Sequence, residues 1–279
     1  TVTAVDDSNI EGAHSVLINH DIDTVLTLDT AYDAVSGTLA DVTANVTDND
    51  SAGITITETL GSTDLDETGP TQDSYTVKLT GQPTGNVVVT VTSIDTVKGV
   101  TVDMASLTFT DTTWNISQTV TVTAVDDPNV EGAHSSIISH SASSSDTNFN
   151  GIGISDVTAN ITDNDTAGII VSTISGDTTE AGGTATFTVV LNTQPTADVT
   201  ITGIASFNGL EGIVDKSNLI FTTGNWNIPQ TVTVTGQDDQ IVDGNVAYSI
   251  QVNTAVSSDL DYDGIIPDNV VVINLDDDS

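Results

Sequence analysis

The stretch Trp114–Asp127 reads WNISQTVTVTAVDD, and it returns at Trp226–Asp239 as WNIPQTVTVTGQDD. Its centre alternates Thr and Val with the two-residue period of a strand that buries one face and half-exposes the other. Its end sets two adjacent carboxylates directly after the strand. Asp is a poor strand former, and paired like charges repel unless a cation lies between them. The last seven residues of the stretch, TVTAVDD, also stand at Thr1–Asp7.

Working outward, DVTANVTDND at Asp41–Asp50 returns as DVTANITDND at Asp156–Asp165, a spacing of about 115 residues. That period is far longer than those of solenoid or propeller repeats, so each copy is expected to be a domain with its own core. Residues 51–165 and 166–279 read as complete copies, and residues 1–50 as the C-terminal part of an incomplete one. Turn signals divide the middle copy into seven expected strands: Ile54–Leu60, Ser74–Leu79, Val87–Ile94, Ser106–Thr110, Gln118–Val125, Ala133–Ser141 and Ile154–Thr162. Seven short antiparallel strands per copy fit an all-β, immunoglobulin-like sandwich, repeated in tandem as a rod.

Composition limits the partners. The chain of 279 residues carries 40 acidic and 3 basic residues, for a formal charge of −37. Nucleic acid is excluded as a partner, because phosphate contacts need Lys and Arg, and anionic membrane surfaces are disfavoured for the same reason. Cations are the expected partners; a halophile's acidic surface is the competing reading. No cysteine is present, so neither disulfides nor thiolate sites contribute. No apolar run is long enough to span a membrane and no signal peptide opens the chain, so any export signal or anchor is expected outside this segment.

A pattern Asp-Asp-x-x-Val/Ile-Asp/Glu-Gly occurs three times: Asp6, Asp7 and Glu11; Asp126, Asp127 and Glu131; Asp238, Asp239 and Asp243. Each lies in the loop between the fifth and sixth strands. Alternating strand directions bring that loop to the same end as the first turn, with Glu67 or Glu180, and the turn with Asp95 or the matching Asn208. The end of the seventh strand joins them, with Asp163 and Asp165 or Asp276, Asp277 and Asp278. Asp48 and Asp50 stand at the equivalent place in the N-terminal copy. Ca²⁺ accepts six to eight oxygen ligands in irregular geometry, which suits such a set; Mg²⁺ demands a stricter octahedron and zinc prefers His or Cys.

These motifs resemble Calx-beta domains, and the Trp-Asn-Ile-Pro-Gln strand and Thr-Asn/Asp-rich junctions resemble Calx-beta-like repeats of large bacterial surface and adhesin proteins. The resemblance spans essentially the whole chain. It implies calcium, with more than one ion per junction, and it implies Glu67, Asp126, Asp127, Glu131, Asp163 and Asp165 as the ligands of one junction. Asn208 and Asp243 depart from Asp95 and Glu131, which puts the ion number of the last copy in doubt.

Asp165 is followed at once by Thr166-Ala167-Gly168, which leaves almost no linker. The loop of the next copy holding Asp259, Asp261 and Asp263 is expected to help hold ions bound by the preceding one. His14, His134, His20 and His140 are read as strand histidines, since the last copy has Val246 and Val252 instead. Trp114 and Trp226 are read as plugs of the sandwich. No Ser-His-Asp order recurs, so an enzyme is not expected. The resulting expectation is an extracellular, calcium-rigidified stalk or fibre shaft of an adhesion protein whose partners are neighbouring repeats. The alternatives are a glycan- or ligand-binding adhesive module and the subunit of a self-assembling filament.

Overall fold

A computed structural model describes residues 1–21, 39–69 and 71–278. Part of the expected incomplete copy, residues 22–38, lies outside the described residues. The chain forms two compact units: Thr1–Val125 with Ser135–Ile161, and Asp126–His134 with the residues from Thr162 onward. The described residues are nearly all β.

The first unit opens with a two-stranded sheet, β1 (His14–Ile18) and β2 (Val42–Val46), with His14 opposite Val46. Next come β3 (Ile54–Glu58), β4 (Thr63–Asp66), β5 (Gln72–Leu79), β6 (Val87–Ser93), β7 (Val100–Val102), β8 (Ser106–Phe109), β9 (Gln118–Ala124), β10 (His134–Ser144) and β11 (Val157–Thr162). They form two sheets, in the orders β4-β11-β10-β6-β8 and β3-β5-β9-β7. Their alternation is what the sequence demands. Tyr75, Val77 and Leu79 of β5, Val120 and Val122 of β9, Val87 and Val89 of β6, and Val157, Ala159 and Ile161 of β11 all join one buried core. The intervening threonines stay half-exposed or exposed. Trp114 packs against this core, as a plug would.

Several strand expectations shift, among them the seventh, which begins at Val157 rather than Ile154. The first expected strand ends at Glu58, because Thr59–Gly61 forms a short 3-10 turn in which exposed Leu60 has φ 57°. The chain then changes sheet and continues as β4, which the uninterrupted Ile/Thr pattern concealed. A three-residue strand, β7, follows Gly99 and pairs Val100 with Ala124. Finally β10 runs on to Ser144, three residues beyond expectation.

The second unit contains β12 (Ile169–Val171), β13 (Thr178–Thr179), β14 (Thr184–Leu191), β15 (Val199–Thr202), β16 (Ala205–Ser206), β17 (Gly212–Val214), β18 (Asn218–Phe221), β19 (Gln230–Gly236), β20 (Val246–Gln251), β21 (Ala255–Ser257) and β22 (Val270–Leu275). The sheets are β12-β14-β19-β17, β13-β22-β20-β16 and β18-β15-β21. Phe187, Val189, Val232, Val234, Ile250 and Val272 fill the core, with Trp226 against it. The β13–β22 pairing is parallel and brings Glu180 beside the end of β22, where its N–H donates to Leu275 O at 3.1 Å.

Candidate metal centre

The acidic loops are built around one repeated clamp. In the last copy Asp276 Oδ2 accepts Gly244 N–H at 2.7 Å, and its Oδ1 accepts Asp278 N–H at 2.8 Å. In the middle copy Asp163 Oδ2 accepts both Glu131 N–H and Gly132 N–H at 2.7 Å, and Oδ1 accepts Asp165 N–H at 2.8 Å. Asp48 does the same for Glu11, Gly12 and Asp50 at 2.8–2.9 Å. The glycine is required at this place: Gly12, Gly132 and Gly244 have φ of 68°, 66° and 73°, a region that costs L-residues with a side chain.

The second Asp of each pair shapes the loop itself. Asp7 accepts Asn9 N–H and Asp127 accepts Asn129 N–H, each at 2.8 Å, and Asp239 accepts Ile241 N–H at 2.8 Å. One carboxylate oxygen is thereby used locally. The other oxygen of Asp127 is buried without a hydrogen-bond partner, as is Asp278 Oδ2. Orphaned buried carboxylate oxygens are what a cation site contains before its ion is counted.

In the last copy three groups converge, each with one oxygen per residue within 4.8 Å of the others: Glu180, Asp276 and Asp278; Glu180, Asp238 and Asp277; and Glu211, Asp239 and Asp243. Glu180 and Glu211 are buried, at 3% and 5% exposure. In the middle copy Asp126 Oδ1 accepts Asn164 Nδ2 at 3.3 Å, and Glu131 Oε2 lies 3.7 Å from His134 Nε2. In the N-terminal copy Asp6, Asp7, Glu11, Asp48 and Asp50 line one cavity together with His14.

Electrostatics divides these acids into two kinds. Asp48 is held below the usual carboxylate range by the N–H groups of Asp50, Gly12 and Glu11. For Asp163 burial pushes upward, but the N–H bonds from Asp165, Glu131 and Gly132 outweigh it and its pKa is lowered. Asp165 is raised, by burial first and then by Asp163, Asp126, Asp127 and Glu131. Asp50, Glu180 and Asp278 are raised likewise, by burial and by neighbouring carboxylates. The clamping Asp is thus a satisfied anion, and its neighbours are anions lacking countercharge.

Some expected residues are placed differently. Asp95 Oδ1 accepts Val97 and Lys98 N–H at 2.9 and 3.0 Å, so it caps its own turn. Asn208 does the same for Leu210 at 3.2 Å. Glu67, by contrast, lies in the turn where it was expected, after β4, and is buried at 1% exposure. The carboxylate that the sequence reading missed is Glu211. Strand register aligns it with Gly99, since Gly212 pairs Gly236 as Val100 pairs Ala124. A ladder-anchored alignment could have found it, whereas matching Asp95 to Asn208 hid it.

Asp259 anchors the turns around it. It is buried, with Oδ2 accepting Thr196 N–H at 2.7 Å and Oδ1 accepting Asp261 N–H at 3.0 Å. Asp146 holds Thr84 in the same way at 2.8 Å. Asp263 Oδ1 accepts Ser257 N–H at 3.1 Å. Both oxygens of Asp259 accept N–H groups of the protein itself.

The donors of the last copy's three groups are all carboxylate oxygens, and they fit a calcium-class cation rather than a His/Cys-preferring one. No family model matches the chain, and no curated protein is similar to it. Among solved structures, similarity extends to the calcium-binding domain CBD12 of CALX1.1, at 12% identity, covering 72% of this chain and 80% of that one with a TM-score of 0.33. CBD12 from CALX1.2 follows at 14% identity, the same coverages and 0.30, and the periplasmic chaperone SfaE at 11% identity, 80% and 100% coverage and 0.30. At such scores these likenesses carry no argument about the site of this chain.

Proposed function

We propose that this chain is a calcium-stabilised structural segment of an extracellular surface or adhesion protein, built of tandem immunoglobulin-like sandwiches that together form a stalk or fibre shaft. It is not an enzyme in this reading. The observation that carries it is the convergence of Glu180, Asp238, Asp276, Asp277 and Asp278 at the end of β22, with an orphaned buried oxygen on Asp278.

Bound calcium supplies positive charge to oxygens that otherwise repel. The residues that would hold it in the last copy are Glu180, Asp238, Asp239, Asp243 and Asp278, with Glu211 as an additional buried donor. Asp276, Asp163 and Asp48 orient the loops by holding their N–H groups. The equivalent sets are Asp126, Asp127, Glu131 and Asp165 in the middle copy, and Asp6, Asp7, Glu11 and Asp50 in the N-terminal one. Extracellular modules work with Kd of about 10⁻⁴–10⁻³ M, a range that extracellular calcium fills. The test is thermal unfolding of the full chain with calcium and with chelator. A raised melting temperature in calcium, absent with magnesium at equal concentration, supports the reading; identical curves overturn it.

A further inference from the structure

Two of the three acidic loops are held by something besides their own strands. Gln82 N–H donates to Ser8 O at 2.9 Å, and Asn9 and Gln82 form a parallel bridge. Gln194 N–H donates to Pro128 O at 2.7 Å. Ser8 and Pro128 occupy the same place, directly after the paired aspartates. The two glutamines also correspond, each opening a Gln-Pro-Thr turn, at Gln82-Pro83-Thr84 and Gln194-Pro195-Thr196.

The turn is preorganised by its own copy. The Gln side chain donates Nε2–H to Asp111 O at 2.9 Å in one case and to Thr223 O at 2.8 Å in the other. The Thr N–H is fixed by buried Asp146 or Asp259. The Gln backbone N–H is the donor that serves the acidic loop. An apolar contact accompanies it: Ile10 packs against the core, and a Cβ at Gly81 would come 2.8 Å from Ile10 Cδ1.

The third loop has the same parts, with Gln240 after Asp238-Asp239 and Val242 in the place of Ile10 and Val130. There the apolar residues are bare: Ile241 is 60% and Val242 68% exposed. Gln240 stands at φ 133°, a strained value for a residue with a side chain and one that Pro128 at the matching position is barred from adopting.

We infer that the Gln240–Val242 segment is a docking surface for the Gln-Pro-Thr turn of a domain of this kind when one is joined directly after the Asp276–Asp278 run. The inference rests on the tandem-domain reading above. One backbone bond and one or two aliphatic side chains fall far short of the roughly 1,200–2,000 Å² that separate chains need for stable association. Direct covalent connection, as at Asp50–Ser51 and Asp165–Thr166, supplies the effective concentration instead.

The test is a fusion that places residues 51–165 directly after Asp278 of the full chain, compared by amide hydrogen exchange with the unextended chain at saturating calcium. Docking predicts at least tenfold slower exchange across residues 238–244, and return to the unextended rate in a Val242→Asp fusion. Exchange in the appended β5 and β9 equivalents reports whether that domain has folded; if it has not, residues 166–279 are appended instead. Unchanged exchange at 238–244 beside a folded appended domain overturns the inference. Failure of the calcium reading shows separately, as an unextended chain whose melting ignores calcium.

Discussion

Asp163 Oδ2 and the Gly132 N–H meet at 2.7 Å across 31 residues of chain, and that bond ties the end of β11 to the acidic loop that precedes β10. The same carboxylate takes Glu131 N–H, so one side chain sets the backbone of the loop from which Asp126, Asp127 and Glu131 project.

Replacing Asp163 by Asn removes the charge from three short bonds while keeping the shape. The expected loss is about 2 kcal/mol, since hydrogen bonds to charged groups contribute about 1.5–3 kcal/mol each and this group is only partly buried. Calorimetry should show the loss both with and without calcium. A variant as stable as the parent would show that the clamp is incidental.

Asp126→Asn together with Asp127→Asn should act differently. In chelator the double variant should be as stable as the parent or more so, because like charges have been removed. In calcium it should gain less than the parent, whose gain is about 2.7 kcal/mol per independent site at a hundredfold excess over Kd. Isothermal titration of the two proteins checks the lost site directly.

Gly132→Ala places a side chain at φ 66°. Left-handed backbone costs about 1–2 kcal/mol for a residue with a Cβ, and the N–H held by Asp163 would be displaced with it. Chemical denaturation should register that loss, whereas Gly153→Ala, whose added Cβ meets open space at a position without positive φ, should be nearly neutral.

The pH response has two signs. Asp165, Asp278, Asp50 and Glu180 have raised pKa values, so the folded state binds protons more readily than the unfolded one. Calcium-free stability should therefore rise as pH falls through those raised values toward the ordinary carboxylate value. Asp163 and Asp48 have lowered values, and their contribution is lost only as pH falls further, through those values. A melting temperature that first climbs and then drops on acidification is expected in chelator, with the climb absent in calcium.

Tyr75 O–H and His140 Nε2 meet at 2.8 Å, while His140 Nδ1 lies 3.1 Å from Ser155 O. Burial lowers the His140 pKa from its ordinary 6.5, and the backbone bond to Ser155 and the charge of Asp156 oppose that only in part. Its contribution is present above the unfolded value and is lost as pH falls from there through the lowered value. The last copy has Phe187 and Val252 at these places, both buried. Tyr75→Phe with His140→Val should abolish this component of acid sensitivity, and Tyr75→Phe alone should cost about 1 kcal/mol. Urea titrations at pH 7.5 and 5.5 would separate the two.

The Val/Thr alternation of Gln118–Ala124 and Gln230–Gly236 made the central strands legible, because each buried position is apolar and each outer one is Thr. The Asp-Asp loops and the terminal acidic runs were legible for a different reason, namely that adjacent uncompensated charges have few structural uses. Leu60 was not legible, since a positive φ on a large aliphatic residue has no compositional signal. Nor was Glu211, whose place depends on the register of β17 against β19 rather than on spacing from a motif. The turn-anchoring role of Asp259 was not legible either, because nothing in a sequence says which N–H groups lie within reach of a carboxylate.

That anchor has a consequence for how the last copy comes apart. β22 runs from the loop side held by Asp259, each of whose oxygens accepts a protein N–H group, to the Asp276–Asp278 run about 20 Å away. On the calcium reading proposed above, the Asp276–Asp278 extremity would answer to divalent ions, while the other is anchored by N–H groups of the protein itself. Depletion of calcium would therefore fray this sandwich from a single, defined extremity, and a protease acting during scarcity would trim it in one direction.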